Sequence, residues 1–179
     1  MDDATGTIYY APAFADAATS LRWFAALRDG VRWQSERRWM YDREVDVPRL
    51  VSSFRLTDSA LPEALRDAAE RVSSALGVPF NSVGLNLYRD GRDSVAPHND
   101  HLYEIVEGYP IALLSLGATR RMSIRSKSRP RSVYDLDLED GSLLVMSYAT
   151  QLNYDHGVPK TRAWVQPRIS IALRVRPPG

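Results

Sequence analysis

Apolar residues recur with two different periods along the chain, and the change of period divides it. From Asp16, a good N-cap, apolar positions fall at Ala17, Leu21, Phe24 and Leu27, with Gly30 placed to stop a helix. A second stripe runs through Leu61, Leu65, Ala68, Val72 and Leu76, with Pro62 in the first turn and Gly77 at the end. Between them, residues 33–54 are aromatic and arginine-rich without a clear period, which predicts a loop with short strands. After Gly77 the runs become short and β-prone, separated by turn signals such as Asp90-Gly91 and Asp140-Gly141. Strands are expected at Val83–Tyr88, Ile111–Leu116, Met122–Arg125, Val133–Leu138, Ser142–Met146 and Arg168–Val175. This spacing predicts a sandwich, barrel or jelly roll rather than βαβ units. The expected fold is mainly β with α: two N-terminal helices packed on the outside of a double-sheet β-roll. The Pro177-Pro178-Gly179 end predicts a frayed tail.

Composition narrows the classes without choosing among them. The 179 residues suit one domain, here a helical part over 1–79 and a β core over 80–176. With 44% apolar and 25% charged residues, disorder and collagen-like sequence are excluded. There is no cysteine, so disulfides, a thiol nucleophile and Cys-ligated zinc are excluded as well. Lys plus Arg number 23 against 22 Asp plus Glu, and a net charge of +1 does not demand a polyanionic partner. The Met1-Asp2-Asp3 start lacks the features of a secretory signal, and no apolar run is long enough to cross a membrane. A soluble, cytoplasmic monomer is the expectation.

Chemistry concentrates at three histidines and one strand. His98 and Asp100 are two apart after an extended-looking segment, so both side chains project to the same side. His156 follows far downstream, between Asp155 and Gly157. Two histidines and a carboxylate are the facial set that binds Fe(II) and leaves positions open. On spacing alone, a solvated turn with a chance histidine stands as an equal alternative. In the last strand Ile169, Ile171, Leu173 and Val175 share one face, and Arg168, Ser170, Ala172 and Arg174 the other. Two arginines flanking small residues leave room for a small dicarboxylate, although an ordinary exposed strand face has the same pattern. Asn86 and Tyr88 likewise share a face, either to bond the same anion or to meet water.

Read together, these blocks resemble one family. Asn86-x-Tyr88-x-Asp90-Gly91, His98-x-Asp100, Pro110-Ile111-Ala112-x-Leu114-Ser115-Leu116-Gly117, Gly141 to Met146, His156-x-x-Pro159 and Pro167-Arg168-x-Ser170-x-x-x-Arg174 resemble the AlkB family of Fe(II)- and 2-oxoglutarate-dependent dioxygenases. The resemblance covers residues 80–176 closely, and the first third more loosely through Tyr10-Ala11-Pro12-x-Phe14 and Val47-Pro48-Arg49. It implies a double-stranded β-helix (jelly roll) core. By the same resemblance, His98, Asp100 and His156 hold the iron, Arg168 pairs with the distal carboxylate of 2-oxoglutarate, and Asn86, Tyr88 and Ser170 line that pocket. Arg174 sits near the chelating carboxylate. The implied reaction uses O2 and 2-oxoglutarate to hydroxylate an N-methyl group, releasing succinate, carbon dioxide and formaldehyde.

The departures concern the co-substrate pocket and the substrate. Ser170 stands where the family usually has Asn, and Ala172 where it often has Thr. The repair members carry an acid two beyond the metal Asp; here that position is Leu102, preceded by His101, and Glu104 is the nearest acid. Aromatic candidates for clamping a flipped base are Trp39, Tyr41 and Phe54, in the region equivalent to the family's substrate lid. The segment Arg120 to Arg131 has six basic and no acidic residues in a hairpin-like stretch; it is either a solvated hairpin or, as the resemblance to repair members implies, one whose Arg121 and Arg125 lie against phosphates. The implied substrate is alkylated DNA or RNA, as in repair; the alternative is a small molecule or a protein acted on by the same iron core.

Overall fold

The computed structural model describes residues 2–40, 43–129 and 132–178, with side chains from residue 4 onward except at 38–46. In chain order the strands are β1 (Asp2–Asp3), β2 (Gly6–Ala11), β3 (Gln34–Met40), β4 (Arg43–Arg55), β5 (Ser82–Tyr88), β6 (Val95–His98), β7 (Ile111–Gly117), β8 (Arg120–Ser126), β9 (Val133–Leu138), β10 (Leu143–Met146), β11 (Tyr154–Val158) and β12 (Arg168–Arg174). The helices are α1 (Ala17–Gly30), α2 (Glu63–Leu76) and α3 (Tyr148–Asn153), with a 3-10 turn at Leu102–Glu104. The strands form a large sheet in the order β1-β2-β10-β7-β12-β5-β4-β3 and a small sheet in the order β6-β11-β8-β9. This is the expected double-sheet roll, with α1 and α2 outside the large sheet.

Strand alternation builds the three layers. Along β7, Ala112, Leu114 and Leu116 face the helices, where they meet Trp23, Leu27, Leu65, Ala68 and Val72. Ile111 and Leu113 face the other way, into a second cluster with Met122 and Ile124 of β8 and Tyr154 and Val158 of β11. Each fully buried Leu or Ile contributes roughly 1.5–3 kcal/mol by leaving water. β12 lies between both clusters: Ile169, Ile171 and Leu173 face the helices and Ala172 the inter-sheet space. The face carrying Arg168, Ser170 and Arg174 is therefore interior, not an exposed strand face.

Local signals account for the helices. The Asp16 carboxylate accepts the Thr19 N–H at 2.9 Å and starts α1. Gly77 ends α2 with φ 63°, the left-handed conformation that glycine adopts without strain, and bonds back to Ser73. The stripe expected for α1 is rotated, however. Ser20, Trp23 and Leu27 are buried, while Leu21 is 67% exposed and Ala17 is exposed. The Trp23 indole offers more apolar area than any leucine, and its Nε1 donates to Asp67 of α2 at 2.9 Å.

Two further expectations are corrected. Residues 33–54 are not a loop with short strands but a long β3–β4 pair, and β4 pairs with β5 from Leu50↔Leu87 to Arg55↔Ser82. A register shift between Ser35 and Arg37, with serines at both 52 and 53, erases the two-residue period there. The strand β2 and the short helix α3 went unsignalled, since neither carries a long enough apolar pattern. Among the described residues no helix is long and apolar enough to cross a membrane. Gly179 lies outside the described residues.

Candidate metal centre

The small sheet brings the two histidines together. β6 is an edge strand, where Pro97 removes no needed ladder bond, and it pairs with β11 so that His98 stands opposite His156. Their ring centroids are 4.6 Å apart. Asp100 follows two residues on, and ligand atoms of His98, Asp100 and His156 lie within 4.8 Å of one another. Gly157 permits this approach, because a Cβ there would sit 2.8 Å from the Val95 carbonyl oxygen. The register shifts just beyond His156.

The surroundings set protonation. His98 Nδ1 lies 2.9 Å from the Ala96 carbonyl oxygen. A carbonyl only accepts, so the proton is on Nδ1 and the Nε2 lone pair is left for a metal. Burial pushes the His156 pKa down to about 4 and the nearby His98 adds to this, while Asp100 opposes it. Burial alone would raise the Asp100 pKa, but Arg174, whose Nε donates to Oδ2 at 2.6 Å, holds it below the usual carboxylate range. The Asp100 carboxylate, a buried His156 held neutral and the Nε2 of His98 fit a divalent ion such as Fe(II).

That arrangement has a measurable consequence in chelator-treated protein. The unfolded chain protonates His156 near pH 6.5, whereas the folded chain resists until about pH 4. Stability is thus full above pH 6.5 and falls as the pH drops toward 4, by roughly 3 kcal/mol for a shift of this size. Urea unfolding of wild type and His156→Gln between pH 7.5 and 4 checks it. Identical pH slopes for the two proteins would contradict a buried, neutral His156.

A second cluster lies on the large sheet. In register, Arg168 pairs with Tyr88, and Ser170 with Asn86, across β12 and β5. Arg168 has no exposed surface; its Nη2 donates to Ser115 at 2.7 Å, and the guanidinium lies 5.2 Å from the Tyr88 ring centroid. Tyr88 favours the charge, yet Arg168 Nε and Nη1 make no hydrogen bond. A buried, planar guanidinium with unused N–H groups is what a carboxylate satisfies. A 2-oxoglutarate carboxylate fits this cradle. Asn86 Oδ1 is taken by Arg49 Nε at 2.7 Å.

Other expected residues are placed differently. Phe54 is half-buried and packs against the helix-side cluster. Tyr41 lies outside the described residues, as does the Trp39 side chain. His101 remains at the rim, stacked on Tyr103 with centroids 5.3 Å apart. Leu102 packs against the inter-sheet cluster, and Glu104 is held by Arg176 at 2.9 Å. Glu104 is therefore not a free acid in place of the missing one.

The basic segment is also divided by the strand period. Arg121 and Arg125 are exposed on the outer face of β8, with Arg121 paired to Asp137 at 3.0 Å. Arg120 turns inward, where its guanidinium donates to the carbonyls of Asp90, Asp93 and Pro159 and lies over Tyr88. It ties loops together and is not a phosphate contact. Lys127 bonds the Gln151 carbonyl at 2.9 Å. Arg131 lies outside the described residues.

Two residues of the centre had not been anticipated. Ser115 binds Arg168, and Gln151 Oε1 accepts the Asp100 N–H at 3.1 Å. Ser115 lay within an expected strand, where its alternation with leucines was the only available signal; Gln151 carried none.

The profile of the 2OG-Fe(II) oxygenase superfamily matches residues 54–174. The DNA oxidative demethylase ALKBH2 of Bos taurus is 36% identical over 130 residues, covering 69% of this chain and 47% of that protein. The alpha-ketoglutarate-dependent dioxygenase alkB homolog 3 of Homo sapiens is 31% identical over 182 residues, covering 91% of this chain and 64% of that protein. The chain thus spans about half to two thirds of the length of these curated relatives. Among solved structures, a prolyl hydroxylase from Trichoplax adhaerens, in complex with a hypoxia inducible factor peptide, superposes with a TM-score of 0.68. It covers 94% of this chain and 83% of its own at 11% identity, a likeness of fold alone.

Proposed function

The chain belongs to the 2OG-Fe(II) oxygenase superfamily and, within it, to the AlkB family, and on that premise we propose that it demethylates alkylated bases in DNA or RNA, acting as a cytoplasmic monomer. The observation that carries the co-substrate half is Arg168: a buried guanidinium with two unused donors, on a strand whose Arg174 holds the triad carboxylate. When bound, Fe(II) with 2-oxoglutarate and O2 supplies the oxidising power that turns an N-methyl group into an N-hydroxymethyl group, which loses formaldehyde. His98, Asp100 and His156 hold the metal. Arg168 fixes the distal carboxylate of 2-oxoglutarate, with Ser115 and Tyr88 steadying the guanidinium and the Asn86 amide nitrogen and Ser170 hydroxyl available to the ligand. Arg174 keeps the Asp100 carboxylate ionised and aimed. The inter-sheet cluster of Tyr88, Leu113, Ile124 and Tyr154 excludes water behind the centre.

A second reading, with a small molecule or protein as substrate, is favoured by one set of contacts: Leu102 is packed and Glu104 is engaged by Arg176. One assay separates the two readings. Fe(II), 2-oxoglutarate and an N-methylated single-stranded oligonucleotide are expected to give equal formaldehyde and succinate, with His98→Ala as the blank. Succinate alone would point to the second reading, and neither product from iron-loaded protein would sink the dealkylase. Salt titration of oligonucleotide binding adds a magnitude. With Arg120 turned inward and Lys127 engaged by the Gln151 carbonyl, Arg121, Arg125 and Arg129 remain among the described residues, and three contacts give a log–log slope of about −2. A flat dependence would remove the polyanion.

A further inference from the structure

Among the described residues, three buried side-chain polar atoms have no hydrogen-bond partner: Arg168 Nε, Arg168 Nη1 and Gln151 Nε2. All three are donors. A buried donor without an acceptor carries its full desolvation penalty, so an orphan donor marks a place where an acceptor can bind. Arg168 already has its ligand under the proposed function. Gln151 has none assigned.

Gln151 is fully buried on α3, the helix that leads directly into β11 and His156. The Asp100 N–H points at its side chain, at 3.1 Å from Oε1. An N–H only donates, so the amide oxygen must face Asp100 and the NH2 group must face the other way. The backbone of Gln151 is fixed as well, since Lys127 Nζ donates to its carbonyl at 2.9 Å. Asp100 is thereby held twice, its carboxylate by Arg174 and its main chain by Gln151.

We infer that Gln151 is a positioning residue with two separable roles: Oε1 holds the backbone of the metal ligand Asp100, and Nε2 donates to an acceptor oxygen of the bound co-substrate. The inference rests on the iron centre of the proposed function and deepens it.

Two substitutions separate the roles. Gln151→Met removes both the acceptor and the donors at similar length. Gln151→Glu keeps an oxygen for the Asp100 N–H and replaces the donors with negative charge. Mn(II) binding is followed by electron paramagnetic resonance, and 2-oxoglutarate binding by calorimetry on the Mn(II)-loaded protein. Gln151→Met is expected to weaken Mn(II) binding about tenfold, the lower end for lost outer-shell support. Gln151→Glu keeps Mn(II) affinity within about threefold of wild type but weakens 2-oxoglutarate binding about tenfold or more, through like charge and a lost donor. Wild-type Mn(II) affinity in a folded Gln151→Met would overturn the first role. Unchanged 2-oxoglutarate binding by Gln151→Glu would overturn the second, and this variant carries the test alone if Gln151→Met does not fold. A different failure belongs to the parent reading: wild-type Mn(II) binding that His98→Ala leaves untouched would remove the centre itself.

Discussion

Alanine at His98 or at Asp100 is expected to abolish turnover, by at least about a thousandfold, because each removes one of three ligands from an open site. The two variants should nevertheless differ in stability. His98 is exposed, and its ring contacts the Ala96 carbonyl and His156, so His98→Ala leaves the melting temperature nearly unchanged. Asp100 is buried and accepts from Arg174 at 2.6 Å. Its loss strands a mostly buried guanidinium, and Asp100→Ala should cost about 1–3 kcal/mol. Product assays combined with thermal melts check both statements. Turnover surviving in either folded variant would remove the triad as the metal site.

Arg168→Met should act in the opposite sense on the fold. In the free protein Arg168 is a completely buried cation with one hydrogen bond, to Ser115. Burial alone pushes its pKa down, against the favourable Tyr88 ring. Replacing such a group by an apolar one of similar length is often neutral or stabilising, by about 1–4 kcal/mol where the charge was poorly paired. Two charge-assisted bonds to a carboxylate are worth roughly 1.5–3 kcal/mol each, so their loss should weaken 2-oxoglutarate binding about a hundredfold or more. The expected outcome is a protein that melts no lower than wild type and no longer gains stability when 2-oxoglutarate is added. A clear drop in melting temperature with normal 2-oxoglutarate binding would make Arg168 a structural residue instead.

Much of the roll was legible in the sequence, for a physical reason. Strands buried on both faces read as apolar runs and strands with one apolar face alternate, as Ile111–Leu116 and Arg168–Val175 respectively do. The order of His98, Asp100 and His156 was legible too, but not their meeting, which depends on the β6–β11 register and the close approach at Gly157. Periodicity says which residues share a face, not what covers it. Arg168 and Ser170 therefore read equally well as a solvated face, and Arg120 was counted with its basic neighbours although it lies on the inward side. Helix α1 turns a different face inward than its apolar count suggests, because that count gives Leu21 and Trp23 similar weight whereas the larger indole sets the rotation. Gln151 could not have been found, since a buried amide shows its purpose only through the partners it has and lacks.

The depth of β12 in the fold bears on how such a protein tolerates random substitution. This strand is flanked on both sides by β5 and β7 and roofed by both apolar clusters, so a change at almost any of its positions disturbs packing as well as chemistry. The β3–β4 pair lies at one end of the same sheet, and the turn after Asp100 presents His101 and Tyr103 to solvent. Substitutions at the exposed positions Gln34, Ser35 and Arg37 of β3, and at His101 and Tyr103, leave the core alone. A lineage built on this scaffold can drift widely in what it acts on while the way it is fuelled stays fixed.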